Sequence, residues 1–549
     1  MINKNVYVPM WLILYLCSMI RVLKGGTWVN NSSMKKPYHV HDTVLVINLG
    51  GQYAHLIMRR VRELGVYSEL VNYNELSRDI IEDIKPKAII LSGGPSNVYD
   101  PGAPTIPKWV FDLNIPILGI CYGFQLISYL MGGNVTRGKG EFGRTKVKII
   151  EEDPLFNGWG KEEIVWMSHN DHVEVLPEEL KLLAISENGY TTAFKHREKP
   201  IYGVQFHPEV KHTVKGKVLL RNFLINITGI KPSWHPTDFI NDLIEYIRRT
   251  VKDKKVLVAV SGGVDSTVTA VLMRKAIGDD KLVPVFINTG LFRENEVNEV
   301  LRNLELLGIK PLVVDASEEF LNALKDIDDC EEKRRVISGL YAEILEDIMR
   351  KDKDIAWIAQ GTTYPDVIES GAVHGSDKIK THHNVAGLPR TLRSKVIEPL
   401  KYFYKDEVRK IGLKLGIPKD MIYRHPFPGP GLAIRVIGRV TKEKLSIVRR
   451  ASKIVEEELY KAGLYYRVWQ AFAVVGDDMW VGVKGDKRAI GRIVIVRIVE
   501  SEDAMTADWA KIPYNVLDRI SRRIVNEIPS VTMVAYSITT KPPSTIEPC

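Results

Sequence analysis

Val258-Ala-Val-Ser-Gly-Gly-Val-Asp-Ser-Thr267 joins an apolar run to a helical pattern through a turn that holds two glycines. We predict a strand over 256–260 and a helix that begins near Val264. Glycines let backbone N–H groups approach a phosphate closely, and a helix N-terminus adds partial positive charge at the same place. The stretch therefore predicts an anion-binding cradle, with an ordinary strand-to-helix packing turn as the alternative.

The cradle does not end in the Gly-Lys-Ser/Thr of the common nucleotide-binding loop. Its Ser-Gly-Gly-x-Asp-Ser pattern resembles the PP-loop of the ATP pyrophosphatases, which cleave ATP between its α and β phosphates. The resemblance implies that a substrate oxygen is adenylated, that pyrophosphate leaves, and that Asp265 lies near Mg²⁺. The residues that it assigns to ATP binding are Ser261, Gly262, Gly263, Val264, Asp265, Ser266 and Thr267.

Length and composition indicate a globular protein of several domains. At 549 residues the chain is too long for one core, and about three domains are expected. Apolar residues make up 45% and charged residues 26%, and the net charge is +9. Several of the positive charges lie in the first 36 residues, which contain no acid, so the rest of the chain is nearly balanced. That balance suits small nucleotide substrates, and we predict no nucleic-acid partner. Glutamine is scarce, which is typical of thermophilic proteins.

The cysteines are Cys17, Cys121, Cys330 and Cys549, and they form no C-x-x-C pair or short framework. We therefore predict that the chain has neither a disulfide nor a structural zinc site. A reducing cytoplasm is the expected compartment.

Residues 1–42 are predicted to be an N-terminal extension outside the domains. Their apolar patch, 10–20, is shorter than the roughly 20 residues that a membrane span needs. We predict no membrane association, with a membrane anchor and a signal peptide as alternatives. Met34 is a second candidate for the start of the chain.

Alternating apolar strands and helical patterns predict two open, mostly parallel-sheet α/β domains followed by a smaller α+β C-terminal domain. The predicted boundaries are 43–229, 230–430 and 431–549, with Pro- and Gly-containing linkers at 229–236 and 424–431. A loop-rich stretch, 362–390, is predicted to be a mobile lid. The predicted strands are 43–49, 87–91, 116–120, 146–150, 164–167, 182–185, 201–206, 256–260, 282–287, 311–315, 355–359, 471–475 and 493–499.

Gly119-Ile-Cys-Tyr-Gly123 has the G-x-nucleophile-x-G layout of a sharp strand-to-helix elbow. At a helix N-terminus the dipole favours a thiolate, so we predict that Cys121 is a nucleophile rather than a small core residue. The best candidate base is His207, which precedes Pro208. In an extended backbone Glu209 shares a face with His207 and can orient its imidazole. The predicted oxyanion donors are backbone N–H groups of Gly94 and Tyr122.

Leu118-Gly-Ile-Cys-Tyr-Gly-Phe-Gln125 and Gln205-Phe-His-Pro-Glu209 together resemble the class I glutamine amidotransferases. That family hydrolyses glutamine through a cysteine thioester and releases ammonia. The resemblance covers about residues 43–229. The chain departs from the family at Asn48-Leu-Gly-Gly-Gln52, where relatives read Asp-Phe-Gly-Ser-Gln.

The two modules in this order resemble the GMP synthetase family, and His425-Pro-Phe-Pro-Gly-Pro-Gly-Leu432 is close to diagnostic of it. The resemblance implies that glutamine supplies ammonia, that ATP adenylates C2–O of xanthosine 5′-monophosphate (XMP), and that GMP, AMP and pyrophosphate form. It implies a C-terminal domain that makes a homodimer and helps to bind XMP. The XMP contacts that it implies are Arg334, Gln470, Lys541, Ile546 and Glu547. The family ends in Trp-Glu, whereas this chain ends in Pro548-Cys549.

Three residues also have an ordinary structural interpretation that stays open. Arg334 also fits a solvated helical face, Gln470 also fits a strand cap, and Lys405 either reaches phosphate or pairs with a neighbouring acid. Two other functions are weighed as well. A tRNA-modifying PP-loop protein needs a basic RNA surface and a cysteine pair, and a regulatory nucleotide-binding protein would have lost its catalytic residues.

Overall fold

The computed structural model describes residues 36–369, 396–501 and 506–549. The first unit is built on a nine-stranded sheet in the order β2-β1-β3-β4-β9-β8-β7-β5-β6. The first five strands of that order, β2-β1-β3-β4-β9, are parallel to one another. The remaining four, β8, β7, β5 and β6, each pair with their neighbours in antiparallel fashion. The strands are β1 Thr43–Asn48, β2 Tyr67–Asn72, β3 Ala88–Leu91, β4 Ile117–Ile120, β5 Asn134–Ile149, β6 Glu162–Val175, β7 Leu180–Ser186, β8 Thr191–His196 and β9 Ile201–Val204.

Helices cover both faces of the parallel half of this sheet. That is why β1, β3 and β4 are almost continuous apolar runs whose side chains are buried. The helices of the first unit are α1 Ala54–Glu63, α2 Arg78–Ile84, α3 Tyr122–Leu130 and α4 Gly216–Arg221, which runs into a π-helix at Asn222–Ile227.

The second unit has a five-stranded, fully parallel sheet in the order β12-β11-β10-β13-β14. Its strands are β10 Lys255–Ala259, β11 Leu282–Asn288, β12 Leu312–Asp315, β13 Ile355–Ala359 and β14 Val396–Ile397. Its helices are α5 Ile240–Val251, α6 Val264–Ile277, α7 Glu296–Leu306, α8 Ser317–Ala323, α9 Cys330–Lys351, α10 Tyr364–Glu369, α11 Lys405–Lys414 and α12 Lys419–Ile422.

The third unit packs two helices on a four-stranded sheet. A long hairpin pairs β15 with β16 in antiparallel fashion, and β18 lies parallel to β16, so this unit is α+β. The elements are α13 Lys442–Lys461, β15 Gln470–Lys484, β16 Lys487–Glu500, β17 Asp508–Trp509, α14 Tyr514–Glu527 and β18 Val531–Tyr536. Short 3₁₀ turns lie at Pro37–His39, Lys108–Asp112, Pro154–Phe156, Pro236–Phe239, Gly431–Arg435 and Tyr465–Arg467.

The predicted fold class is confirmed, and each predicted strand coincides with an observed one. Five observed strands, β2, β8, β14, β17 and β18, have no counterpart among the predicted ranges. β14 and β17 are only two residues long, and in β2 and β8 polar residues interrupt the apolar pattern. In β2 the carboxylate of Glu69 accepts a hydrogen bond from the hydroxyl of Tyr67 at 2.7 Å, which a linear pattern does not reveal. The domain boundaries stay predictions, and the predicted lid lies mostly outside the described residues.

The predicted absence of disulfides is wrong, because Cys330 and Cys549 are joined by one. The two cysteines are 219 residues apart, so no spacing rule could pair them. The fold brings their Cα atoms to 5.4 Å because the C-terminal tail crosses to the first turn of α9. Within 36–369, 396–501 and 506–549, no helix is long and apolar enough to cross a membrane.

A buried ion pair joins the first unit to the second. Arg62 of α1 is 2% exposed, and its Nη1 lies 3.0 Å from Oε2 of Glu407 in α11. Glu407 also accepts hydrogen bonds from Nε1 of Trp234 and from the backbone N–H of Tyr404. Four aromatic rings lie 4.5–5.5 Å from the guanidinium: those of Tyr67, Trp234, Tyr364 and Tyr404.

Replacing Arg62 by Met should leave the Glu407 carboxylate buried without its positively charged partner. We expect the free energy of unfolding to fall by about 3–5 kcal/mol, measured by guanidinium chloride denaturation. The matched control is Arg249→Met, because the Arg249–Glu245 pair is half-exposed and its loss should cost less than about 1 kcal/mol. If the free energy of unfolding fell equally in the two variants, the assignment of Arg62 and Glu407 as a stabilising buried pair would be contradicted.

Candidate functional site

The elbow at Cys121 is a strained turn between β4 and α3. Cys121 has φ 52° and ψ −104°, a backbone conformation that costs energy in a residue with a side chain. A Cβ atom at Gly123 would lie 2.5 Å from the carbonyl oxygen of Leu91, so glycine is required for the helix to approach β3. The side chain of Cys121 is only 6% exposed, so the elbow presents its thiol to an enclosed site.

His207 and Glu209 follow β9 and form the predicted pair. Nδ1 of His207 lies 2.7 Å from Oε1 of Glu209, and both side chains are buried. Burial lowers the pKa of His207, but the charges of Glu209 and Cys121 and the hydrogen bonds to them raise it well above its usual value. A protonated imidazole between a carboxylate and a sulfur stabilises a thiolate, and the predicted nucleophile, base and orienting group are thus brought together.

Gly94 and Tyr122, whose backbone N–H groups are the predicted oxyanion donors, are neighbours in space. A Cβ atom at Gly94 would lie 3.1 Å from the ring of Tyr122. Tyr122 is the first residue of α3, so its N–H group has no acceptor inside the helix. A Cβ atom at the neighbouring Gly93 would lie 3.3 Å from the His207 ring and 3.7 Å from Cβ of Cys121. The glycine turn, the elbow and the imidazole therefore surround one small space.

Two glutamines beside the thiol had no predicted role. Nε2 of Gln205 lies 3.7 Å from Sγ of Cys121, and Nε2 of Gln125 donates to Oε1 of Gln205 at 3.1 Å. Gln125 also donates to the backbone oxygen of Asp171 at 2.8 Å. Both glutamines lie inside the sequence motifs that suggested the site, which is the signal that could have identified them.

The turn that is predicted to bind an anion lies between β10 and α6. Gly262 has φ +77°, and a Cβ atom there would lie 2.3 Å from Val300. The hydroxyls of Ser261 and Ser266 lie 3.3 Å apart at the solvent-exposed mouth of the turn. Val264 and Thr267 are buried and face the core. Val264 is the first residue of α6, so its N–H group has no acceptor inside the helix, whereas the N–H group of Thr267 donates to the carbonyl oxygen of Gly263 at 3.0 Å. All seven predicted ATP residues therefore lie on this turn and the first helical turn.

Asp265 fits the magnesium prediction. Its Oδ1 is buried without a hydrogen-bond partner, and its Oδ2 lies 3.2 Å from Nζ of Lys405. No cluster of three or more His, Cys, Asp or Glu side chains in the described ranges is arranged to hold a metal. Mg²⁺ commonly binds one or two carboxylates together with substrate phosphates, and a single free carboxylate oxygen beside the cradle suits that mode.

The residues predicted to contact XMP are distributed around the C-terminal tail. Nε2 of Gln470 donates to Oε1 of Glu547 at 2.7 Å, and Nη2 of Arg334 donates to the backbone oxygen of Cys549 at 2.5 Å. Ile546 is buried beside β15 and β16. The tail thus brings Arg334, Gln470 and Glu547 to one place. Lys541 lies on the same loop, and its backbone pairs with Ala507.

Arginines that no motif had singled out support the tail. Arg435 is fully buried and makes two hydrogen bonds to Glu547, at 2.9 and 3.1 Å. Arg497 donates to the backbone oxygens of Thr545 and Ile546. Burial and nearby arginines lower the pKa of His425, in the diagnostic Pro-rich motif, to about 4. His425 is therefore uncharged at neutral pH, and two of the nearby arginines, Arg293 and Arg435, are paired with Glu456 and Glu547.

The three units match three family models. Glutamine amidotransferase class-I matches residues 45–227, NAD synthase matches 237–340, and GMP synthase C terminal domain matches 457–548. With the geometry of the elbow and the cradle, these matches define a glutamine amidotransferase joined to a PP-loop synthetase.

The chain is also similar to curated proteins over most of its length. A GMP synthase (glutamine-hydrolyzing) from Pyrobaculum aerophilum is 59% identical over 510 residues, which cover 92% of this chain and 100% of the relative. Proteins of the same name from Aquifex aeolicus and Thermosipho melanesiensis are 53% and 50% identical, each over 92% of this chain and 99% of the relative. The chain belongs to the glutamine-hydrolysing GMP synthase family.

Replacing Glu209 by Gln should weaken the charge that keeps His207 protonated. The pKa of His207 then falls, so less positive charge faces Cys121, and alkylation of Cys121 by iodoacetamide at pH 6 should slow by roughly tenfold. The modification is followed by mass spectrometry across a pH series.

The control for this test is Asp83→Asn, which makes the same carboxylate-to-amide change beside an exposed histidine, His39. We expect its alkylation profile to match that of the unmodified chain. Superimposable profiles for the Glu209 variant and the control would refute the thiolate–imidazolium pair.

Proposed function

We propose that the chain makes GMP by amination of XMP at C2, with glutamine as the nitrogen donor and ATP cleaved to AMP and pyrophosphate. The observation that carries this proposal is the presence, in one chain, of a complete Cys121–His207–Glu209 constellation and a preformed PP-loop. The first suits release of ammonia from an amide, and the second suits adenylation of an oxygen. Ammonia replaces AMP at C2 in the final step.

In the proposed glutaminase step, Cys121 Sγ attacks the amide carbon of glutamine. His207 donates the proton that the departing ammonia requires, and Glu209 holds the imidazole through Nδ1. The N–H groups of Gly94 and Tyr122 stabilise the negative charge on the carbonyl oxygen. Water then attacks the thioester, and His207 accepts its proton as glutamate is released. Gln205 positions the sulfur through its amide, at 3.7 Å.

In the proposed synthetase step, the backbone of the PP-loop binds ATP phosphates at the N-terminus of α6. Lys405 reaches the same place, because it already lies beside Asp265. Asp265 would hold Mg²⁺ together with phosphate oxygens, and the ion would neutralise charge that develops on pyrophosphate. Ser261 and Ser266 offer hydroxyl groups at the mouth of the cradle.

We assign XMP to the place at the C-terminal tail where Arg334, Gln470 and Glu547 come together. Arginine suits a phosphate dianion, and the amide of Gln470 suits the edge of a purine base. Arg334 and Gln470 are anchored on different units, so the nucleotide would bind between the PP-loop unit and the third unit. Lys541 and Ile546 complete the tail segment, and Arg435 holds Glu547 in position.

We also propose a cytoplasmic homodimer. The hairpin of β15 and β16 carries an apolar patch that is exposed in the single chain, and such patches commonly mark interfaces. A second copy of the chain could cover it. The patch consists of Met479, Trp480, Val481, Val483 and Ile490. The substrates ATP, XMP and glutamine are metabolites of the cytoplasm.

Replacing Cys121 by Ala should abolish glutamine-driven synthesis and leave ammonia-driven synthesis nearly intact. Loss of the nucleophile should lower the glutamine-driven rate by at least about 1,000-fold. The reaction is followed by chromatography of GMP, AMP and pyrophosphate. Asp265→Asn serves as the comparison, because it should slow both reactions. The proposal fails if the products are ADP and orthophosphate.

Replacing Arg334 by Ala should raise the KM for XMP by about tenfold or more, since a charge-assisted phosphate contact is lost. Steady-state rates in the ammonia-driven reaction give KM for XMP and for ATP separately. The control is Arg335→Ala, because Arg335 is its neighbour in α9 but faces solvent beside Glu332. If both variants keep the original KM for XMP, Arg334 belongs only to a solvated helical face.

A further inference from the structure

The Cys330–Cys549 disulfide closes the end of the chain onto the proposed XMP pocket. Cys330 is the first residue of α9 in the second unit, and Cys549 is the last residue of the tail in the third unit. One turn further along α9, Arg334 donates to the backbone oxygen of Cys549. The cross-link is therefore adjacent to one predicted XMP contact and two residues from another, Glu547.

The last two residues have few other attachments. Pro548 is exposed, whereas Glu547 is held by Arg435 and Gln470, and Ile546 is buried. Segments with so few anchoring contacts open locally at little cost in free energy. The disulfide and the Arg334 hydrogen bond therefore hold residues 548–549 against α9, and they fix the distance between α9 and the Glu547 site.

The cross-link is chemically accessible. Cys330 and Cys549 are both partly exposed to solvent. Cys330 lies at the N-terminus of a 22-residue helix, where the dipole stabilises the thiolate that leaves during reduction. Disulfides also persist inside the cells of hyperthermophiles, and the composition of this chain is typical of thermophilic proteins.

We propose that the Cys330–Cys549 disulfide is a redox-dependent positioning element for the XMP pocket, so that the oxidised chain binds XMP more tightly than the reduced chain. This inference rests on the proposed XMP site. Cys549 and Cys330 are positioning residues here, because neither needs to touch the nucleotide. Ordering the tail before binding removes an entropic cost from XMP binding and leaves ATP binding and chemistry alone.

The redox step balances by thiol–disulfide exchange with a small-molecule disulfide, RSSR. One cysteine thiolate attacks RSSR, forms a mixed disulfide and releases RS⁻. The second cysteine thiolate attacks the mixed disulfide, forms the Cys330–Cys549 bond and releases a second RS⁻. The two protons lost from the cysteines convert both RS⁻ to RSH, so two electrons pass from the protein to RSSR. Reduction by a dithiol reverses these steps.

The test uses the full chain in the ammonia-driven reaction, which does not require the Cys121 thiol. The protein is equilibrated with oxidised glutathione or with dithiothreitol, and KM is measured for XMP and for ATP. Peptide mass spectrometry without reduction verifies the state. We expect a linked Cys330–Cys549 peptide only after oxidation, and a KM for XMP about tenfold lower in the oxidised chain. The KM for ATP and kcat should change by less than about twofold.

Two variants, Cys549→Ser and Cys330→Ser, should show the higher KM for XMP in both reagents. The inference is overturned if no linked peptide forms in oxidised glutathione, or if the linkage changes the melting temperature but not the KM for XMP. Gln470→Ala distinguishes this failure from failure of the underlying site. If it raises the KM for XMP while reduction does not, only the redox role is wrong. If Gln470→Ala also has no effect, the XMP site itself is misplaced and the inference fails with it.

Discussion

The buried pair of Arg62 and Glu407 is the constraint on which the relation between the two reactive sites depends. A guanidinium removed from water needs a carboxylate and further hydrogen bonds, and the surroundings provide both. Arg62 belongs to α1, and two residues earlier in that helix Nε of Arg60 donates to the backbone oxygen of Glu209 at 2.9 Å. Glu407 belongs to α11, whose first residue, Lys405, contacts the PP-loop. One ion pair thus connects the elements that position both sites.

Both reactive turns follow the same architectural rule. Cys121 follows β4 and the PP-loop follows β10, so each site lies at the carboxyl end of parallel strands, where the next helix begins. A helix N-terminus favours an anion, and the proposed reaction places the glutaminase nucleophile at the first and an ATP phosphate at the second. The backbone differs between them. The elbow forces a cysteine into a strained conformation, whereas the cradle uses glycine at 262 to avoid strain.

The position of the C-terminal tail is set by side-chain contacts rather than by the end of a strand. Arg435 is fully buried, and its charge is compensated by Glu547, while Arg497 binds the carbonyl oxygens of the tail. Such charged groups are stable inside a protein only when each is paired. The path of the tail is therefore specified by the interior of the third unit, and the disulfide adds a covalent link to the second unit at its end.

The sequence by itself determined the fold class, the two reactive turns and the His207–Glu209 pair, because these depend on local order: apolar runs, glycines at fixed offsets and two-residue spacing in an extended strand. It also led to the residues of the tail through family resemblance. Only the tertiary structure decided which distant groups meet, namely Arg62 with Glu407, Arg435 with Glu547, and Cys330 with Cys549. Those pairs are separated by more than a hundred residues, and pairing over such a separation is decided by how sheets and helices pack rather than by any pattern along the chain.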